Sequence, residues 1–151
     1  MKRFILLSAL ILCTSLTAFT QENRNFAVGL GLEWNMNAPE NFAGGAVLGL
    51  DYRFMESFAA GFHFTFSTNF DGIAVMEPAA LFRWYFLGPF FVQGDLGAFI
   101  VFDLGEMDVR FLGGLRAGMR IPLGEMFYVE PYGRLGYPFM FGIGAIAGVK
   151  F

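Results

Sequence analysis

Phe141-Gly-Ile-Gly-Ala-Ile-Ala-Gly-Val-Lys-Phe151 is the stretch that decides the fold. Read backwards from Phe151, every second residue is apolar: Val149, Ala147, Ala145, Ile143, Phe141. Between them stand Lys150, Gly148, Ile146, Gly144 and Gly142. A period of two puts alternate side chains on opposite faces of a strand. One face here is apolar, and the other is mostly small or charged.

Seven upstream segments repeat the pattern. Phe26 to Trp34 sets Phe26, Val28, Leu30, Leu32 and Trp34 against Ala27, Gly29, Gly31 and Glu33. Phe42 to Phe54 sets Leu48, Leu50, Tyr52 and Phe54 against Val47, Gly49, Asp51 and Arg53. Phe58 to Ser67 sets Phe62, Phe64 and Phe66 against Gly61, His63 and Thr65. Ile73 to Phe86 sets Phe82, Trp84 and Phe86 against Glu77, Arg83 and Tyr85. Phe90 to Phe102 sets Val92, Leu96 and Ile100 against Gln93, Asp95 and Phe99. Val109 to Ile121 sets Phe111, Leu115 and Met119 against Arg110, Arg116 and Arg120. Phe127 to Tyr137 sets Val129 and Leu135 against Tyr128, Glu130, Tyr132 and Arg134. Pro78 and Pro131 fall inside strands, where proline cannot donate to a ladder, and are expected to mark bulges. Asp103 to Asp108 reads as an acidic loop.

The composition asks for lipid. The chain is 56% apolar and 19% aromatic, with 21 Phe, yet past the N-terminus no apolar run reaches the ~18 residues of a membrane helix. Strands of about ten residues are long enough to cross when tilted. The N-terminus has a basic start, Lys2 and Arg3, and an apolar core from Phe4 to Leu16, which reads as a cleavable signal peptide over residues 1–20. The barrel domain is then 21–151. Losing Lys2 and Arg3 takes the net charge from −3 to −5. The single Cys, Cys13, lies in the discarded segment, so no thiol or disulfide chemistry is expected.

The polar faces belong inside. They carry Glu33, Asp51, Arg53, Glu77, Arg83, Asp95, Arg110, Arg116, Arg120, Glu130, Arg134 and Lys150, five acids against seven bases, together with most of the glycines. The inside of an eight-stranded barrel is just wide enough for side chains to fill, so glycine suits it and the Phe, Trp and Tyr face does not. The glycines are expected to leave water pockets between Arg–carboxylate clusters. Aromatics on the apolar face fall at two heights. One ring runs through Phe26, Tyr52, Trp84, Phe90 and Phe127, the other through Trp34, Phe66, Phe102, Phe111 and Tyr137, as in the girdles that bound a lipid-facing band.

The expected fold is all-β: a closed, antiparallel, eight-stranded, up-and-down transmembrane barrel behind a signal peptide. The whole mature pattern resembles the small outer-membrane barrels of the OmpA/OmpX and OmpW types. That resemblance implies outer-membrane localisation, a lipid environment, and biogenesis through periplasmic chaperones and the barrel-assembly machinery, which reads a terminal aromatic strand such as the one ending at Phe151. Many such barrels carry long extracellular loops; the loops here are short.

Catalytic chemistry finds little footing. His63 and Ser67 share a face but stand four residues apart, about 13 Å along a strand, too far for a dyad. One His without Cys makes a soft-metal site improbable, and no nucleotide or nucleic-acid motif occurs. No catalytic residue, metal or cofactor is expected, and the chain is expected to be a monomer. Two functions stay open: a structural or surface-interaction barrel with a largely closed lumen, or a small pore for ions or apolar solutes. A symmetric hairpin at 103–108 would set Asp95 opposite Arg116, and Arg120 and Glu130 should be neighbours.

Overall fold

The computed structural model describes residues 25–37, 41–69, 72–103, 106–137 and 140–151. The expected signal peptide and the loop residues Pro39, Glu40, Asp71, Gly105 and Pro138 lie outside the described residues. Nine strands are assigned: β1 (Phe26–Asn37), β2 (Asn41–Met55), β3 (Phe58–Thr68), β4 (Ile73–Leu87), β5 (Phe90–Asp103), β6 (Glu106–Met119), β7 (Ile121–Leu123), β8 (Phe127–Tyr137) and β9 (Met140–Lys150). β6 and β7 are two parts of one strand. Both pair with β8 in a single register, from Gly113↔Tyr137 to Leu123↔Phe127. Pro131 falls opposite the break, and its missing N–H interrupts the ladder there. The barrel therefore has eight strands, each antiparallel to its neighbours, and closes where β1 pairs with β9.

Following cross-strand partners around the barrel gives its geometry. The circuit runs Ala27, Asp51, Gly61, Leu81, Asp95, Gly114, Gly136, Met140, and returns to β1 at Asn37. That is a stagger of ten residues over eight strands. With a rise of about 3.3 Å per residue and about 4.8 Å between strands, the strands tilt by about 40°.

Neither proline makes a bulge. Phe64 pairs Pro78 and Pro131 pairs Ala145 with no change of register on either side. The register shifts lie beside turns instead, between Arg53 and Met55 and between Tyr85 and Leu87. In the second of these turns Gly88 takes φ 54°, a conformation costly for any residue with a Cβ. The acidic loop is also shorter than expected. Asp103 pairs Glu106, so Glu106 and Asp108 belong to β6. Ladder pairing continued further than the acidic composition suggested.

The faces divide as alternation requires. Leu30, Leu96 and Phe111 point outward and are more than 60% exposed, as are many other large apolar side chains to a lesser degree. Among the described residues, fourteen polar side chains are buried, nine of them charged, and all lie inside. This is the reverse of a water-soluble barrel, and the outer surface suits hydrocarbon. The outer aromatics touch along the rim nearest the termini: Phe26–Tyr52, Phe54–Phe58, Trp84–Phe86 and Phe86–Phe90 centroids lie 5.8–6.4 Å apart.

Candidate functional site: the charge network of the lumen

Every inward position comes from one parity of each strand, and the stagger then brings distant strands to a common height. Two tiers result. In the tier nearer the termini, Arg83 grips Glu130 with both terminal nitrogens (Nη1–Oε2 2.9 Å, Nη2–Oε1 2.7 Å). Arg120 donates through Nε to the same carboxylate at 2.7 Å and forks onto Asp51 at 3.1 and 2.6 Å. Two acids and two guanidinium groups make a neutral quartet.

The second tier holds Glu33, Glu77, Asp95, Arg116 and Arg134. Arg134 spans Glu33 (2.5 Å) and Glu77 (2.6 Å). Arg116 donates through Nε to Asp95 at 2.8 Å and lies 3.1 Å from Glu33. The Tyr132 hydroxyl and the Asn35 amide both donate to Glu33, at 2.7 and 2.8 Å. The His63 ring lies against Arg116, and its Nε2 sits 3.1 Å from Thr65 Oγ1. Gln93 joins the tiers: its oxygen accepts from Arg83 and its amide donates to Asp95 at 2.6 Å. Bidentate and shared pairs of this kind are what a buried ion needs, because each desolvated charge otherwise costs several kcal/mol.

Apolar side chains flank the tiers. Tyr85, Phe91, Tyr128 and Ile146 pack in one cluster with Ala27, Val47 and Ala59, and Phe99, Leu112, Val75 and Ala79 form another. Side chains cover several of the glycines expected to leave water pockets: Tyr128 leans over Gly29 and Gly148, Tyr132 over Gly144, Phe91 over Gly118. Gly49 and Gly114 have no such cover. The cavity left among Asp51, His63, Arg83, Arg116 and Glu130 is about 10 Å³, room for one water at most.

Nine of the eleven expected network residues, Glu33, Asp51, Glu77, Arg83, Asp95, Arg116, Arg120, Glu130 and Arg134, are buried in these tiers. Two stand elsewhere. Arg110 is exposed and pairs with Asp108 two residues along its own strand, at 2.6 Å; there β6 pairs with β5 alone, beyond the end of its ladder with β8 at Gly113. Arg53 is half-buried at the opposite mouth, with its guanidinium 4.0 Å above the Tyr85 ring. Five acids thus face four Arg in the buried network. Asp95 and Arg116 meet, but not as register partners. Asp95 opposes Gly114 and Arg116 opposes Gln93, in the register that sets Asp103 against Glu106. A slip of two residues keeps each face assignment, and the bare backbone at Gly114 lets Arg116 reach diagonally. Arg120 and Glu130 are neighbours. Gln93, Tyr132 and His63 carry in sequence only their inward parity, and Asn35, expected in a polar loop over 35–41, belongs to β1 and points inward.

No protein-family model matches the chain, and no curated protein matches it. Solved structures do. Neisserial surface protein A superposes with a TM-score of 0.63 at 12% identity, over 84% of this chain and 97% of that one. The N-terminal β-barrel domain of Pseudomonas aeruginosa OprF gives 0.56 at 11%, over 83% and 97%. A de novo designed transmembrane β-barrel gives 0.56 at 11%, over 87% and 98%. The fold is that of the small outer-membrane barrels. A designed protein shares it, so the fold by itself assigns no activity.

Proposed function

We propose that the chain is an integral barrel of the bacterial outer membrane, acting structurally or through its short loops, with a lumen closed to ions and solutes and no catalytic turnover. Its natural structural neighbours are outer-membrane barrels, and its outer face is apolar between aromatic rims. In this reading residues 1–20 direct secretion, both termini lie in the periplasm, and the barrel is a lipid-embedded monomer. Periplasmic chaperones and the assembly machinery deliver it, with Phe151 as part of the signal. The observation that carries the closed lumen is the 10 Å³ of free space within the charge network. A conducting path would have to pull Arg83 and Arg120 off Glu130 and strand charge where little water can follow. Purified protein in a planar bilayer tests this. The expected record is a flat baseline with rare openings. Steady ohmic conductance at neutral pH would establish the alternative, a small pore.

A further inference from the structure

The mouth at the terminus-bearing end holds a cavity of about 510 Å³, whose lining includes Asn25, Arg53, Tyr85, Arg120 and Lys150. Arg53, Arg120 and Lys150 are cationic, and among the described residues the lining holds no carboxylate. The volume is that of a small-ligand site.

Arg53 singles the cavity out. Among the described residues Arg83, Arg110, Arg116, Arg120 and Arg134 each hold a carboxylate. Arg53 has only the Tyr85 ring beneath it. That ring is fixed from below, where its hydroxyl accepts from Arg83 at 3.1 Å and its edge meets Phe91. A guanidinium laid on an aromatic face keeps its N–H edges free and loses little freedom on accepting a partner. Arg120, on the inner wall, is already held by Asp51 and Glu130, so the neutral quartet beside the cavity offers Arg53 no spare charge.

We propose that this vestibule is an anion-binding site, taking a phosphate or carboxylate group on the Arg53 fork. Two sources carry that chemistry at this mouth: a lipid headgroup phosphate and a soluble anion.

The test is calorimetric titration of the full chain, folded in a nonionic detergent, with sodium pyrophosphate at constant ionic strength. Saturable binding at one site is expected, about tenfold weaker in Arg53→Gln and unchanged in Arg110→Gln, whose side chain lies at the far end. Arg53→Lys, which keeps the charge, should retain part of the affinity and covers the case of a poorly folded Gln variant. Repeating the titration in phosphatidylcholine nanodiscs with or without phosphatidylglycerol separates the sources. Weaker pyrophosphate binding with the anionic lipid identifies the headgroup, and unchanged binding identifies a soluble anion. No saturable binding, equal binding by Arg53→Gln, or an equal loss in Arg110→Gln overturns the proposal.

Discussion

Replacing Glu130 by Gln removes one charge from the centre of the neutral quartet with almost no change in shape. Glu130 accepts three short bonds, two from Arg83 and one from Arg120. A hydrogen bond to a charged group is worth about 1.5–3 kcal/mol net. The amide keeps one acceptor and turns donors toward a guanidinium group, so one or two of the three bonds are lost, according to which oxygen is replaced. Arg83 and Arg120 are then left with Asp51 alone. Broken buried pairs typically cost about 3–5 kcal/mol, and that is the expected loss here. The assay is reversible urea unfolding in phospholipid vesicles, followed by Trp34 and Trp84 fluorescence. With a slope of about 2 kcal/mol per molar, the midpoint should fall by about 2 M. The double variant with Arg120→Met should recover part of the loss, since it removes the stranded charge. A loss under about 1 kcal/mol is what solvated pairs give. That result would mean the network is wet, and the closed-lumen reading would fall with it.

Asp95→Asn and Arg116→Met should show strong coupling in a double-mutant cycle although they are not register partners; additive losses would contradict the 2.8 Å contact. Leu96→Arg places a charge midway along an outward face and should cost about 2–4 kcal/mol in vesicles, whereas a neutral result would remove that face from lipid. Gly97→Ala should destabilise by about 1–3 kcal/mol, because a Cβ there meets the β4 backbone at Pro78 and Ala79. Gly114→Ala, with only ordinary contacts around it, should be mild; the opposite order would show the packing to be misread. Cysteine at Asn69 in intact cells should react with an impermeant thiol reagent and cysteine at Glu125 should not. The reverse pattern would invert the proposed topology.

Much of this was legible before any coordinates. Alternation in Phe62–Thr65 or Phe82–Tyr85 assigns each side chain to a face, because the period of a strand is fixed by its backbone. The charges then had to be inside, because no charge sits on the other parity and a narrow lumen rejects the aromatic face. Alternation carries no information about height. Asp95 against Gly114, not Arg116, follows from the pairing of Asp103 with Glu106, which the expected loop at 103–108 hid. Arg110 has the same parity as Arg116, yet one is solvated and the other sits 3 % exposed among carboxylates. Pairs such as Arg134–Glu77 and Arg120–Asp51 join strands that never touch along their backbones. The ten-residue stagger of the closed sheet brings them level, and closure is a property of all eight registers together. Sequence thus determined which side chains face inward; only the closed tertiary structure decided which of them meet, because partner choice across a lumen depends on summed register and not on local period.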